Sequence, residues 1–184
     1  GGRFPPADRQ PGLGGRGEIA DATLAEIRAL DAGGGARVPT LDEMLDAFGA
    51  AIAFNLELKK GTRAEYAGLE AQAIDAVRAR GIAGRTLFSS FYDPVLARLR
   101  EAAPEARIGL LISRRYPVRI VERARALGAE AIHPEAPLVD AALVDAAHEA
   151  GLAVYVFTVD DPAEMQRLLS LGVDGLFTNH PDRM

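Results

Sequence analysis

The sequence predicts an α/β fold built on a mainly parallel sheet, and three observations carry that prediction. Six short, largely apolar strand segments are separated by helical segments with short connections, the pattern of repeated βα units. Gly81, Gly128, Gly151 and Gly172 each stand after a helical segment and before a strand, where a left-handed cap is wanted. Asp93-Pro94 and Asp161-Pro162 each offer an N-cap aspartate before a proline at the first helical position. Strands this apolar suit a sheet covered on both faces.

In chain order, Thr23 to Leu30 reads as a short helix. Thr40 begins a second, and Glu43 three residues on completes a capping box. Phe54 to Lys59 is the first strand. Phe54, Leu56 and Leu58 alternate there with Asn55, Glu57 and Lys59, the two-residue period of an extended chain. A helix follows over about Arg63 to Arg80, then strand Thr86 to Ser90, helix Pro94 to Ala102 and strand Arg107 to Ile112. The alternation continues with helix Val118 to Leu127, strand Ala131 to His133, helix Ala141 to Ala150, strand Ala153 to Val159, helix Pro162 to Leu171 and strand Gly175 to Thr178.

Composition narrows the function classes. A chain of 184 residues suits one domain with a sizeable core. A net charge of −5 with both signs interspersed leaves no basic footprint for nucleic acid. The absence of cysteine removes disulfides and thiolate metal sites. No apolar run is long enough for a membrane span. Gly1 to Gly17 is rich in Gly, Pro and charged residues and is expected to be disordered. Its Gly12-Leu13-Gly14-Gly15-Arg16-Gly17 run has the spacing of a dinucleotide loop but lacks the preceding strand such a loop needs.

Chemistry in parallel α/β folds gathers at the carboxyl ends of the strands. Those ends hold Glu57 and Lys59, then Ser89 to Tyr92, Ser113 to Arg115, His133 to Glu135, Phe157 to Asp160, and Thr178 to His180. Glu57 and Lys59 stand on one side of their strand, roughly 7 Å apart, so both can reach one bound ion or phosphate. His133 and His180 lie at strand ends and could line the mouth of a site. His148 sits mid-helix as a surface or interhelical residue.

Asn55-Leu56-Glu57-Leu58-Lys59 resembles a characteristic strand of the glycerophosphodiester phosphodiesterases. Thr23 to Gly33, Val38-Pro39-Thr40-Leu41-Asp42-Glu43-Met44-Leu45, Phe88-Ser89-Ser90-Phe91, Val154 to Asp160 and Gly172 to Asp182 resemble further segments of that family. The resemblance runs from about Gly17 to Asp182. It implies a (βα)8 TIM barrel of the phospholipase C-like phosphodiesterase type that hydrolyses glycerophosphodiesters to glycerol 3-phosphate and an alcohol, in lipid and glycerol metabolism. It also implies a divalent cation, Ca²⁺ or Mg²⁺, with Glu57 as a metal ligand, Lys59 as a phosphate contact and Phe157 as an apolar wall against glycerol.

The departures from the family pattern are equally specific. No His-Arg-Gly strand, Glu-x-Asp pair or His-Asp turn precedes Glu57, and His133, His148 and His180 do not match the family's catalytic pair. Six strands stand where a barrel needs eight. The expectation is therefore a partial barrel lacking its first two βα units, with residues 17–184 as the family domain and residues 1–16 as disordered, unrelated sequence. The expected partner is a small glycerophosphodiester, with neither nucleic acid nor a membrane span, and the expected compartment is the cytoplasm. A non-catalytic remnant that binds a phosphate or polyol is the alternative. A Schiff-base role for Lys59 is disfavoured, because a neighbouring carboxylate favours the charged ammonium.

Overall fold

The structure, a computed structural model, describes residues 19–61 and 65–183. The expected disordered segment Gly1 to Gly17, with its dinucleotide-like glycine run, lies outside the described residues, as does the expected helix start at Arg63. The chain divides into two compact units, one from the stretch ending at Ile52 together with Lys60–Ile82, the other from Ala53–Lys59 together with the chain from Ala83 on.

The first unit contains α1 (Leu24–Arg28) and α2 (Leu41–Phe48), which precede the first strand, and the longer α3 (Leu69–Arg78). Capping boxes start both early helices. Thr40 and Glu43 exchange the expected pair of bonds, and Thr23 and Glu26 do the same at α1. Arg28 joins the two helices through Glu43 at 2.7 Å. Arg80 reaches Asp42 at 3.0 Å and Asp46 at 2.6 Å, tying the end of α3 to α2.

The second unit is the sheet. Its strands are β1 (Phe54–Glu57), β2 (Thr86–Ser90), β3 (Arg107–Ile112), β4 (Ala131–Pro134), β5 (Ala153–Val156) and β6 (Gly175–Leu176). All neighbours pair in parallel and their spatial order is their chain order. Parallel crossovers are right-handed, so a sequential order places the connecting helices of this unit on the same face. That is the arrangement of a barrel wall rather than of a doubly wound sheet. The helices are α4 (Asp93–Ala102), α5 (Ile120–Ala126), α6 (Ala141–Glu149) and α7 (Pro162–Ser170). Leu96 and Leu99 of α4, one helical turn apart, are completely buried, as are Ile108 and Leu110 of β3. Each such side chain contributes about 1.5–3 kcal/mol by leaving water.

The sheet is curled. Phe91 and Phe157 follow β2 and β5, whose axes in a flat sheet would lie about 14 Å apart. Their rings meet edge-on with centroids 5.7 Å apart, which requires the sheet to bend around them. Among the described residues it has six strands, two fewer than a closed (βα)8 barrel, so the expected α/β partial barrel is the fold observed.

Several expected features shift in detail. Gly81, Gly128, Gly151 and Gly172 all adopt positive φ, as the helix-to-strand turns require. Asp161 caps α7 by accepting from the Glu164 amide at 2.9 Å. Asp93 does not cap α4. The helix starts at Asp93 with Tyr92 as its cap residue, and the Asp93 carboxylate is held instead by Arg123, from Nε at 2.9 Å and Nη2 at 2.6 Å. A bidentate guanidinium outcompetes a single amide for that carboxylate. The helix expected from Val118 starts at Ile120, because Arg119 before it sits at φ 48° and cannot continue a right-handed turn. The last two strands are shorter than expected. Phe157 pairs only through an isolated bridge to Glu135.

Candidate active site

Register decides which side chains share a face. Glu57 pairs with Ser89, Ser89 with Gly109, Gly109 with Ala131 and Ala131 with Ala153. Because side chains alternate along each strand, Asn55, Glu57, Ser89, Gly109, Leu111, His133 and Tyr155 all belong to one face. The opposite face carries Leu56, Phe88, Ile108, Leu110, Ile112, Ile132 and Val154, an almost unbroken apolar surface suited to helices. The charged, amide and imidazole side chains of the strands, Asn55, Glu57 and His133, therefore lie on the face turned away from the helical crossovers.

At the carboxyl end of β1, Lys59 Nζ lies 3.8 Å from Glu57 Oε2, and both side chains are partly exposed. The pair is held in place from β2. Beyond the last formal strand residue, the Leu58 amide donates to the Ser89 carbonyl at 2.7 Å. The Ser90 hydroxyl donates to the Leu58 carbonyl at 2.7 Å and accepts from the Tyr92 amide at 3.2 Å. The paired serines thus divide their work, Ser89 on the inner face and Ser90 as a clamp on the backbone that carries Glu57 and Lys59. Sequence reading placed Ser90 at the strand end but did not reveal this role, because a side chain turned to the helix-covered face is expected to pack rather than to tether.

Phe157 is half-buried against Phe91, so two rings rather than one form the apolar wall. Its backbone is fixed on both sides, its amide donating to the Pro134 carbonyl at 3.1 Å and its carbonyl accepting from Ala136 at 3.0 Å. At the ends of β5 and β6, Asp160 accepts from Thr178 Oγ1 at 3.0 Å, Asn179 Nδ2 at 3.0 Å and the Asn179 amide at 2.8 Å. Those Asn179 bonds hold its carboxyl below the usual carboxylate range. His180, half-buried, donates its amide to Thr178 Oγ1 at 3.0 Å and stays at this end of the sheet.

The expectation for His133 is corrected. It stands on the inner face but does not line a mouth, for it is completely buried. Its ring packs on Tyr155 at 5.5 Å and Phe177 at 5.2 Å between centroids, and neither ring nitrogen has a hydrogen-bond partner among the described residues. Gly109 makes the space. A Cβ there would fall 2.6 Å from His133 Cε1 and Nε2, so only glycine admits the ring. Burial pushes the His133 pKa down to about 4, and the imidazole is neutral at ordinary pH. His148, expected on a surface or between elements, places Nε2 2.9 Å from Asp174 Oδ2, and Asp174 also accepts from the Val154 amide at 2.7 Å. That pair lies at the amino end of the sheet, away from Glu57.

A hard dication wants about six to eight oxygen ligands. Among the described residues no three or more His, Asp or Glu side chains converge to hold one. Glu57 by itself, beside a lysine ammonium, does not fit such an ion. No metal-dependent step can therefore be built from the described residues.

Comparison with known proteins agrees with the geometry. The sequence profile described as the glycerophosphoryl diester phosphodiesterase family matches residues 10–183. A glycerophosphodiester phosphodiesterase of Caldanaerobacter subterraneus subsp. tengcongensis is 33% identical over 181 residues, covering 92% of this chain and 72% of that protein. Among solved structures, a candidate glycerophosphoryl diester phosphodiesterase of Silicibacter pomeroyi superposes with a TM-score of 0.82 at 29% identity, over 90% of this chain and 67% of the other. An Oleispira antarctica phosphodiesterase, solved with its product sn-glycerol-3-phosphate, gives 0.80 at 27% identity, over 94% of this chain and 73% of its own.

Proposed function

The chain belongs to the glycerophosphoryl diester phosphodiesterase family, and we propose that its site takes glycerophosphodiesters and their product, sn-glycerol 3-phosphate. The observation that supports this most is the placement of Glu57 and Lys59 3.8 Å apart at the carboxyl end of the edge strand, on the face turned away from the helices. In this reading Lys59 Nζ takes a phosphate oxygen, as an ammonium can without rearrangement. Phe157, backed by Phe91, forms the wall against the glycerol carbons. Glu57 occupies the position that the resemblance gives to a metal-ligand carboxylate, but it does not by itself hold a dication.

The same reading makes this chain a catalytically impaired member. Among the described residues the histidines supply no acid–base pair at the Glu57 end, because His133 is sealed in the interior and His148 lies at the amino end of the sheet. In this reading the family's carboxyl-terminal six βα units occupy residues 17–184, and the family profile itself reaches back to residue 10. Among the described residues no helix is long and apolar enough to cross a membrane. A cytoplasmic setting belongs to the same proposal and is tested by cell fractionation.

The experiment is Ca²⁺- or Mg²⁺-dependent release of glycerol 3-phosphate from glycerophosphocholine by the purified, folded chain. Turnover far below that of an intact relative, removed altogether by Glu57→Ala, is the expected result. Full activity refutes the impairment, and activity unmoved by Glu57→Ala refutes the role given to Glu57.

A further inference from the structure

The turn leaving β3, Ser113 to Arg119, carries three arginines and a tyrosine and no acidic residue, in a chain of net charge −5. Arg114, Arg115, Tyr116 and Arg119 are all exposed. The turn is built rather than loose. The Tyr116 amide donates to the Ser113 carbonyl at 3.1 Å, and the Arg115 amide to Ser113 Oγ at 3.3 Å. From α5, Arg123 anchors on Asp93, donates to the Val118 carbonyl at 3.4 Å and places its guanidinium 5.1 Å from the centre of the Tyr116 ring. Arg114 is neutralised by Glu135 at 2.6 Å. Arg115 and Arg119 have no ion-pair partner among the described residues. Arg119 is also the sole non-glycine there with positive φ, a conformation disfavoured for any side chain with a Cβ.

The ends of β1 and β3 are two strand spacings apart, about 10 Å. Both strands run the same way in the sheet, so the Ser113–Arg119 turn leaves the same end that carries Lys59. We propose that the Ser113–Arg119 turn selects glycerophosphodiesters whose alcohol portion bears a second anionic group, phosphate or carboxylate, through Arg115 and Arg119. The proposal rests on the phosphodiester reading of the Glu57–Lys59 end. The negative charge of the whole chain favours a small anion over an anionic membrane as the partner.

Calorimetric titration of the full chain at low salt tests it with three probes: sn-glycerol 3-phosphate, glycerophosphocholine and glycerophosphoinositol 4-phosphate. The phosphorylated headgroup should bind about tenfold more tightly than the choline diester, and salt should erode that ratio. Arg115→Gln with Arg119→Gln should abolish the ratio while leaving sn-glycerol 3-phosphate affinity unchanged. If the ratio is absent, or survives the double substitution, the proposal is overturned although the phosphodiester reading stands. If sn-glycerol 3-phosphate itself fails to bind, the underlying reading falls and this inference with it. Co-sedimentation with vesicles of equal parts phosphatidylglycerol and phosphatidylcholine completes the test. Vesicle binding lost in the double variant, with no headgroup ratio in solution, overturns the proposal in favour of a membrane contact.

Discussion

As pH falls below that of an ordinary histidine, His133 should become a point of weakness in this sheet. In the folded chain the imidazole is completely buried without a hydrogen-bond partner among the described residues, and burial pushes its pKa down to about 4. In the unfolded chain it titrates near the ordinary value of 6.5. Between those values the unfolded state binds more protons, so stability must fall as pH drops through the window. The two values translate into a loss of about 2 kcal/mol between pH 7 and pH 5, and about 3 kcal/mol by pH 4. The carboxylates whose folded pKa is depressed, Glu26, Glu43, Asp46, Asp160, Glu164 and Asp174, work at lower pH. Their stabilisation is present above the ordinary carboxylate range and is lost below it, so the stretch from pH 7 to 5 isolates the histidine. Urea unfolding at pH 7 and pH 5 should show the loss in the parent chain, and it should be absent in His133→Gln and His133→Leu. Histidine NMR of the folded parent supplies an independent reading, a ring that titrates near 4. The same pH dependence in the variants, or a ring titrating near 6.5, refutes the reasoning.

Other substitutions follow from single contacts. Gly109→Ala drives a methyl to within 2.6 Å of the His133 ring and should lower stability by about 1–3 kcal/mol in thermal unfolding, whereas an alanine at Gly84, where a Cβ meets nothing within 4 Å, should be tolerated. Asp161→Ala removes the N-cap of α7 and should cost about 1 kcal/mol in urea unfolding. Ser90→Ala frees the backbone at Leu58. Hydrogen exchange at the Leu58 amide should then accelerate about fivefold to tenfold, the equivalent of one hydrogen bond, while amides of β3 stay protected.

The parallel order of the sheet was legible because helical and two-residue periods alternate cleanly and glycine marks four of the helix-to-strand turns, at Gly81, Gly128, Gly151 and Gly172. The face of Glu57 and Lys59 was legible for the same reason, since alternation alone puts them together. What escaped depends on partners distant in sequence. Asp93 looks like a cap until Arg123, thirty residues on, claims it. His133 looks like a mouth residue until Gly109 on the neighbouring strand opens a space that draws the ring inward. Ser90 is one of two adjacent serines, and only the register of β1 on β2 separates the inner-face residue from the backbone clamp. The basic turn after β3 was visible as composition, but which arginines are already neutralised is a tertiary fact.

The placement of Glu57 and Lys59 as a phosphate-taking end of the sheet is tested most directly by titrating sn-glycerol 3-phosphate into the parent chain, Lys59→Met and Asp174→Asn. Asp174 lies at the opposite end of the strands, against His148 and the Val154 amide. The account predicts that Lys59→Met weakens binding about tenfold to a hundredfold, the worth of one charged contact to phosphate, while Asp174→Asn leaves it unchanged. Equal affinity in the parent chain and Lys59→Met, or a loss confined to Asp174→Asn, would contradict it.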